Sequence, residues 1–311
     1  MEQTSSSEPS RRALVLAGGG AAGNAWQLGL VAGLDDAGVD LVEADLVIGT
    51  SAGATVAAQI TSGIAPAVLY ASVLAEVARR PAGARRTNTS RRPTVAGPSY
   101  LEWSGAIIAS ATDPADMRRR LGAAALELDA PETSRTSWRD VVADRLPSHE
   151  WPERRVLVTA VDAHTGEPVV FGSTSGVDLV DAVAASTSAM TPYAIGQRRY
   201  LNGGYRRSEN ADLAAGYPRV VVLSPFGGRS RMPPAWRMDL AAQVDELRAS
   251  GSLVATVFPD AGAGEVFDAN ALDPSTRPQA ARGGFDQGQA LADELGAFWR
   301  RDRTRCDGLD D

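Results

Sequence analysis

The stretch ADLVIGTSAGATVAAQI, residues 44–60, decides the fold class. Residues 45–48 are a short apolar run typical of a buried strand, residues 49–53 form a turn flanked by glycines, and the alanine-rich remainder is typical of a helix. The same order precedes it. RALVLAGGG, residues 12–20, predicts a strand that runs into a glycine-rich turn, and residues 25–38 have helical spacing with Gly38 as the stop. This alternation predicts an α/β fold with a parallel sheet covered by helices.

The remainder of the chain continues the alternation. The segment from about residue 65 to residue 146 is mostly helical in pattern, and two strands then flank a turn at residues 164–166. Beyond them the patterns predict helices at residues 177–186, 209–216, 234–250 and 288–300, and strands at residues 194–204, 219–226 and 252–258. We therefore predict one domain over residues 12–303, between a disordered tail at residues 1–11 and a second tail at residues 304–311.

Composition excludes several kinds of chemistry. The 311 residues, 44% of them hydrophobic, can bury one large core, and the net charge of -7 gives no general attraction to nucleic acid. All 31 basic residues are arginine, which rules out lysine nucleophiles and P-loop lysines. Cys306 is the single cysteine, so neither a disulfide framework nor a cysteine-rich metal site is possible. We predict no metal, no cofactor and no nucleic-acid partner.

The sequence has the pattern of a cytoplasmic protein. Its first residues are polar and lack the apolar core of a secretory signal, and no run approaches the roughly 20 apolar residues of a membrane span. Because no strongly basic amphipathic helix is evident, we expect at most transient contact with a membrane. His149 lies in a proline-rich connection before a predicted strand and His164 lies in a predicted turn, so we expect both on the surface. The oligomeric state stays open.

An arginine-rich segment interrupts the helical middle of the chain. We predict a mobile loop at about residues 79–98, where proline and glycine separate the basic residues Arg79, Arg80, Arg85, Arg86, Arg91 and Arg92. A solvated loop is the simpler interpretation, and contact with a phosphate or a lipid headgroup is the alternative.

The pentapeptide at residues 49–53, GTSAG, is the first motif with chemical content. It fits Gly-x-Ser-x-Gly between a predicted strand and a predicted helix, which is the context of a nucleophile elbow. Gly49 and Gly53 permit a tight turn that presents Ser51, and the helix that follows directs N–H groups and its positive dipole end toward negative charge. Taken alone, such a turn is also common structural punctuation before a helix.

A second glycine-rich turn, GGGAAG, occupies residues 18–23. Its glycine spacing formally fits a dinucleotide-binding fingerprint, with Glu43 or Asp45 as the following acid. It also fits an oxyanion hole, in which backbone N–H groups stabilise the negative oxygen of an acyl intermediate, and it fits a merely structural turn. Because a candidate serine elbow follows one strand later, the oxyanion role explains both motifs together.

GGGAAG, GTSAG and the NGG of residues 202–204 resemble, in the same order, the three motif blocks of the patatin-like phospholipase family, over about residues 13–226. The resemblance implies a three-layer α/β/α fold with a mainly parallel sheet and the site at the carboxyl ends of its strands. It implies Ser51 as the nucleophile of a Ser-Asp dyad without histidine. It further implies an oxyanion hole formed by Gly18, Gly19, Gly20 and Ala21. The dyad loop that it implies contains Gly203 and Gly204.

The chain departs from the family pattern at Asn202, which stands where the family has the aspartate of the dyad. A carboxylate can take the serine proton and return it to the leaving group, whereas a neutral amide has no useful basicity. Three explanations stay open: a substitution introduced into an active enzyme, a natural binding protein, or transfer of the proton work to another acid. Candidates for that acid, each with a simpler role in a turn, a cap or the surface, are Asp162, Asp181 and Asp212.

The resemblance implies hydrolysis or transfer of an acyl ester through an acyl-Ser51 intermediate, strongly impaired by Asn202. Lipid esters are the family's usual substrates, and a small-molecule ester or thioester of specialised metabolism is equally compatible with the residues. The alternatives are a non-catalytic lipid or ligand binder with the same fold, and a dinucleotide-binding protein that uses GGGAAG.

Overall fold

The computed structural model describes residues 11–78, 97–128, 132–263, 265–267 and 270–300. The two predicted tails lie outside these residues except for Arg11, and the predicted arginine-rich loop lies outside them up to residue 96. The strands are β1 (Arg12–Leu16), β2 (Leu46–Gly49), β3 (Arg155–Asp162), β4 (Pro168–Phe171), β5 (Tyr193–Ile195), β6 (Arg198–Asn202), β7 (Arg219–Leu223) and β8 (Leu253–Val257).

The helices follow the strands in the predicted alternation. They are α1 (Gly20–Asp36), α2 (Ala52–Ile60), α3 (Pro66–Ala78), α4 (Gly97–Ser110), α5 (Pro114–Glu127), α6 (Glu132–Ala143), α7 (Leu179–Ser186), α8 (Leu240–Ala249), α9 (Arg277–Ala290) and α10 (Ala292–Arg300). Side-chain caps define two of the starts, because the carboxylates of Asp113 and Asp239 accept hydrogen bonds from first-turn amides of α5 and α8.

The strands form one sheet in the order β5-β6-β3-β2-β1-β7-β8, and β4 also pairs with β3. β1 lies between β2 and β7, and these strands are parallel to one another and to β3 and β8. β4 and β6 run antiparallel to β3, and β5 runs antiparallel to β6. The prediction of a mainly parallel sheet is confirmed, and the antiparallel strands β4, β5 and β6 join the sheet at β3.

Alternation along the strands sends side chains to two faces of the sheet. In β1, Leu14 and Leu16 belong to the core shared with α1, α2, α7 and α9, whereas Ala13 and Val15 belong to the core under α8. A third cluster joins α4 and α5 to the end of β3 through Val161. Helices therefore cover both faces, and the predicted three-layer α/β/α fold is confirmed.

α1 is buried along most of its length against the sheet and α9. Glycines let the two helix backbones approach closely: a Cβ atom at Gly29 would lie 2.1 Å from the carbonyl oxygen of Ala281, and one at Gly284 would lie 2.3 Å from that of Trp26. Trp26 is fully buried, and its Nε1 donates to Oε1 of Gln287 at 2.9 Å. Because the glycine-rich turn runs directly into α1, this packing also fixes the turn.

Several predicted elements differ from those observed. The strand predicted at residues 194–204 is a hairpin of β5 and β6, because the chain turns at Gly196, where φ is +57°. The helix predicted at residues 209–216 is only a 3-10 segment, Ala211–Ala214, and the one predicted at residues 234–250 is a 3-10 turn, Pro234–Trp236, followed by α8.

The last predicted helix, at residues 288–300, begins earlier and is interrupted. α9 starts at Arg277, ends at Ala290, and is followed by α10. The sequence pattern did not predict α9, because its glycines are poor helix formers. In the structure Gly284 and Gly288 are needed for the contact with α1, where a Cβ atom would meet backbone at 2.3 Å and 2.5 Å.

Candidate active site

Ser51 lies between the carboxyl end of β2 and the first residue of α2, in an unusual backbone conformation. Its φ of 54° and ψ of -120° fall outside the regions that residues with a side chain ordinarily occupy. The residue is half-buried. A strained strand-to-helix turn of this kind is the geometry that presents a serine hydroxyl above the edge of an α/β sheet.

The two glycines that flank Ser51 are required by close backbone contacts. A Cβ atom at Gly53 would lie 2.0 Å from the carbonyl oxygen of Leu16 in β1, and one at Gly49 would lie 2.5 Å from Cα of Ala54. Neither distance is possible for a real side chain without movement of the backbone. The Gly-x-Ser-x-Gly pattern is therefore explained by sterics on both sides of the serine.

The register of β3 explains how residue 202 reaches Ser51. Val158 of β3 pairs with Gly49 of β2 on one side and with Phe171 of β4 on the other, and Ala160 pairs with Asn202 while β4 continues on the same side. β6 thus lies on the β2 side of β3, beyond the end of β2, and runs toward it. The carboxyl ends of β2 and β6 meet about 7 Å apart along β3, two residues at the rise of a strand.

Asn202 contacts the serine directly. Its Nδ2 donates to Oγ of Ser51 at 3.0 Å, while its Oδ1 accepts from the backbone amide of Gly204 at 2.9 Å. The amide of Gly204 can only donate, so it fixes the orientation of the side chain and turns the NH₂ group toward the serine. Ser51 therefore receives a hydrogen bond from residue 202, whereas a carboxylate at this position would accept one.

The glycine-rich turn lies against the same serine. A Cβ atom at Gly18 would lie 3.4 Å from Cβ and 3.9 Å from Oγ of Ser51. Gly20 has a φ of +61°, and Ala271 covers it, accepting a hydrogen bond from the amide of Ala22. The amide of Gly23 donates to the carbonyl oxygen of Gly19, whereas none of the described residues accepts a backbone hydrogen bond from the amides of Gly19, Gly20 and Ala21. These amides are available to a ligand.

Ser186 is a contact that the sequence analysis did not anticipate. It is the last residue of α7 and is fully buried, and its Oγ accepts the backbone amide of Ser51 at 2.9 Å. This bond holds the strained turn from a helix that is 135 residues away in the sequence. Residues 186–193, STSAMTPY, show no sequence pattern that indicates this role.

Asn210 is a second unanticipated residue, and it connects the elbow to the Asn202 loop. It is fully buried, and its Nδ2 lies 2.9 Å from Oγ1 of Thr50, 3.2 Å from Oγ1 of Thr159 and 3.1 Å from the carbonyl oxygen of Gly203. Its Oδ1 accepts from Nη1 of Arg206 at 2.8 Å. One amide thus bonds the neighbours in sequence of both Ser51 and Asn202. Asn210 adopts a left-handed backbone, with φ at 60°, which asparagine tolerates better than most residues. The residue type is therefore the clue that the sequence offered.

A guanidinium reaches the start of α1 from a distant segment. Nη1 of Arg277 donates to Oδ1 of Asn24 at 2.7 Å and lies 3.5 Å from the carbonyl oxygen of Ala21, while its other nitrogens pair with Glu76. Arg277 therefore brings positive charge near the glycine-rich turn.

The other acids considered from the sequence are engaged elsewhere. Asp162 accepts from the amides of residues 164 and 165, Asp181 accepts from Arg139 and from the hydroxyl of Tyr193, and Asp212 forms a two-pronged pair with Arg206. Each has the structural role that was the simpler interpretation. In the described part of the chain, the side chain that bonds to Oγ of Ser51 is Asn202.

Both histidines are exposed, and within the described residues neither bonds to Ser51. Glu43 and Asp45 also lie away from the glycine-rich turn. They precede β2, at the amino ends of the strands, where Glu43 pairs with the guanidinium of Arg12 and Asp45 accepts a hydrogen bond from the backbone amide of the same residue. The turn lies at the carboxyl ends. The acid that a dinucleotide fingerprint needs near the bound ribose is therefore at the opposite edge of the sheet.

Within the described ranges, no group of three or more His, Cys, Asp or Glu side chains is arranged to hold a metal ion. In the same residues, no helix combines the length and apolar character that a membrane crossing requires.

Ser51 lies on a strained strand-to-helix turn, beside the glycine-rich start of α1 and the loop that carries Asn202. This geometry is that of the class of α/β proteins with a nucleophile elbow. The family model for patatin-like phospholipase matches residues 14–215, about two thirds of the chain. The chain belongs to the patatin-like phospholipase family. Among curated protein sequences, none is significantly similar to it.

Solved structures similar to the chain include VipD and ExoU. VipD from Legionella pneumophila is 15% identical, with 93% of this chain and 68% of VipD covered at a TM-score of 0.44. The type III effector ExoU is 18% identical, with 93% and 54% covered at 0.43. ExoU in the SpcU complex from Pseudomonas aeruginosa is 18% identical, with 91% and 53% covered at 0.34. The chain spans about half the length of the ExoU chains, and identities this low say nothing about its substrate.

Proposed function

We propose that this chain is a serine acyl hydrolase of lipid-ester type whose proton-transfer step is blocked by Asn202. The observation that carries the proposal is the direct contact between Ser51 and residue 202, with the free amides of Gly19, Gly20 and Ala21 at the adjacent turn. In this proposal Ser51 is the nucleophile, those amides are the oxyanion donors, and Gly18 leaves room beside the hydroxyl.

The reaction would proceed through an acyl-serine. Oγ of Ser51 attacks the ester carbonyl carbon, its proton passes to the side chain at position 202, and the developing oxyanion accepts from the turn amides. The proton then moves to the leaving alkoxide as the ester bond breaks. Water hydrolyses the acyl-Ser51 ester by the same proton path. An aspartate at position 202 could carry out every proton transfer in these reaction steps.

Asn202 keeps the contact with Ser51 that this reaction needs, but its neutral amide cannot accept the serine proton. Its Nδ2 donates to Oγ of Ser51, so one lone pair of the serine oxygen is engaged and no basic oxygen of residue 202 faces the serine proton. In serine proteases, where the triad aspartate orients a histidine, replacing that aspartate by asparagine lowers turnover by about four orders of magnitude. We expect a loss at least of that order here, because residue 202 would be the base itself.

The proposed substrates are esters with an apolar acyl chain, which is the substrate class of the family. An exposed leucine supports this class. Leu272 is 46% exposed, and its Cδ2 would lie 2.8 Å from a Cβ atom at Gly20, so an apolar side chain lies beside the proposed oxyanion turn. A small-molecule ester or thioester stays the alternative. We further propose that the protein acts in the cytoplasm without metal or cofactor.

A fluorophosphonate probe tests the proposal, because it modifies only an activated serine. We expect little or no labelling of the chain as it stands, strong labelling of Asn202→Asp, and none of the double variant that also carries Ser51→Ala. If Asn202→Asp remains folded and unlabelled, Ser51 is not a nucleophile and the enzyme proposal fails.

A second candidate, a non-catalytic binder of lipids or related ligands, is favoured by the same hydrogen bond from Asn202 to Ser51. Binding of a non-hydrolysable ether lipid measures it directly. Tight binding to the chain as it stands, together with an unlabelled Asn202→Asp variant, would favour the binder over the hydrolase.

A further inference from the structure

Arginines dominate the lining of a pocket of about 360 Å³ that Ser51 does not line. Four guanidinium groups line it together with a single carboxylate, that of Glu246, and the apolar part of the wall consists of Pro114, Pro168, Trp236 and Met238. The volume is at the lower end of those of small-molecule sites. None of the residues proposed for acyl chemistry is among the lining residues.

Two of the four arginines are already neutralised by the protein. Arg206 forms a two-pronged pair with Asp212, with a shortest distance of 2.7 Å, and Arg207 pairs with Glu246 at 2.6 Å. The charge of the other two lining arginines, Arg118 and Arg237, is not matched in this way within the described residues.

Arg118 is half-buried on α5 without an ion-pair partner among the described residues. Its Nε donates to the carbonyl oxygen of Gly166 at 2.8 Å, which leaves the terminal N–H groups of the guanidinium without an acceptor in that part of the chain. Burial lowers the pKa of this guanidinium, and Glu167 and Asp113 offset the effect only at longer range. A partly buried cation with unused donors is energetically costly unless an anion neutralises it.

Arg237 presents a second guanidinium, from another segment. Its charge helps to lower the pKa of the Glu246 carboxyl, but within the described residues it forms no direct ion pair. It is exposed, follows the 3-10 turn Pro234–Trp236, and adopts a left-handed backbone with φ at 52°. Nη2 of Arg207 donates to its carbonyl oxygen and so holds this conformation. Strained backbone at a non-glycine residue is typical of sites that position a side chain for a ligand.

We propose that this pocket binds the phosphate group of a phosphate monoester, with Arg118 and Arg237 as its ligands and Trp236 in contact with the adjoining organic part. Phosphate suits two forked donors from separate segments because it offers several acceptor oxygens and matches guanidinium geometry. The group can belong to a free phosphate ester or to a lipid headgroup, and the two sources share this chemistry.

Calorimetric titration of the full chain with phenyl phosphate tests the proposal without any activity readout. We expect saturable binding at one site, weakened at least about tenfold in Arg118→Gln and in Arg237→Gln. The matched control is Arg120→Gln, which removes an equal charge from the same helix, where Arg120 is exposed and pairs with Asp116. It should change the affinity by less than about twofold.

Vesicles separate the two sources of phosphate. Cosedimentation with phosphatidylcholine vesicles containing phosphatidic acid, lost in Arg118→Gln and Arg237→Gln and absent with phosphatidylcholine alone, identifies a lipid headgroup. Binding of phenyl phosphate without that vesicle binding identifies a free ester. The proposal is overturned if neither probe binds saturably, or if Arg120→Gln weakens binding as much as the two pocket variants. Because Arg237 is exposed, its variant remains informative if Arg118→Gln fails to fold.

Discussion

Nδ2 of Asn202 donates a hydrogen bond to Oγ of Ser51 over 3.0 Å, from the end of a strand that meets β2 head-on. The polarity of this bond is the reverse of what a general base requires. It is set by the amide of Gly204, which occupies Oδ1 of Asn202. A carboxylate at this position could accept from both Gly204 and Ser51 without rearrangement, so the surroundings of residue 202 already fit an acid.

Residue 202 therefore combines two roles that substitutions can separate. Asn202→Asp keeps the acceptor for the Gly204 amide and adds a base, so we expect hydrolysis of p-nitrophenyl butyrate to rise by on the order of 10⁴-fold. Asn202→Ala removes the acceptor, so we expect a loss of about 1 kcal/mol in the free energy of unfolding and no gain in hydrolysis. Ester assays and urea denaturation measure the two effects. Equal hydrolysis by both variants would contradict the role of the carboxylate.

Asn210 is predicted to position both partners of the Ser51–Asn202 contact. Asn210→Ala leaves buried polar groups on Thr50, Thr159 and Gly203 without their donor, so we expect a loss of about 1–3 kcal/mol in the free energy of unfolding. In the Asn202→Asp background it should also lower kcat more than it raises KM. The control is Gln287→Ala, which removes another buried amide, bonded to Trp26 and Phe258. A comparable fall in kcat in that control would refute a specific positioning role.

Gly53 is predicted to tolerate no side chain. A Cβ atom there would lie 2.0 Å from the carbonyl oxygen of Leu16, so Gly53→Ala must displace β1 or α2. We expect a loss of several kcal/mol, about 3 or more, or no folded protein. In Gly172→Ala the new methyl group meets its neighbours at 3.4 Å, an ordinary contact, and the variant should melt close to the parent. Thermal melts followed by circular dichroism compare the two.

Glu209 is predicted to make stability fall as the pH rises. It is 3% exposed, and burial raises the pKa of its carboxyl, although Ser208 and Ser224 donate to it. The folded state therefore holds the proton more tightly than the unfolded state, and stability is lost as the pH rises from the ordinary carboxyl pKa, about 4, through the raised one. We expect Glu209→Gln to be more stable than the parent at pH 7, and the difference to vanish below about pH 4.

Glu246 is the control for Glu209, because the pKa of its carboxyl is shifted in the opposite direction. Its hydrogen bond with Arg207 lowers the pKa of its carboxyl. That stabilisation is present above the ordinary carboxyl pKa and is lost as the pH falls through the lowered one. Glu246→Gln should therefore be less stable than the parent at pH 7, with the difference shrinking on acidification. Denaturation midpoints from pH 3 to pH 8 compare the two variants, and slopes of the same sign would contradict the assignment for Glu209.

Much of the fold was predictable because its signals are local. The apolar runs and glycine turns around β1 and β2 predicted the parallel sheet, and the three motif blocks predicted the family. The prediction failed where a long-range contact overrides a local preference. Glycines that weaken the helical pattern of α9 are there to fit the backbone of α1, and Gly196 turns a single predicted strand into a hairpin.

By itself the sequence determined which residue types are present and predicted the strand, turn and helix around the GTSAG and GGGAAG motifs. It excluded lysine and disulfide chemistry, and it predicted that Ser51 ends a strand and that position 202 lacks a carboxylate. Only the tertiary structure decided that β6 approaches β2 end to end along β3, and that Ser186 and Asn210 hold the contact from distant segments. The reason is physical: backbone preferences act over a few residues, whereas strand register and buried hydrogen bonds depend on how the whole core packs.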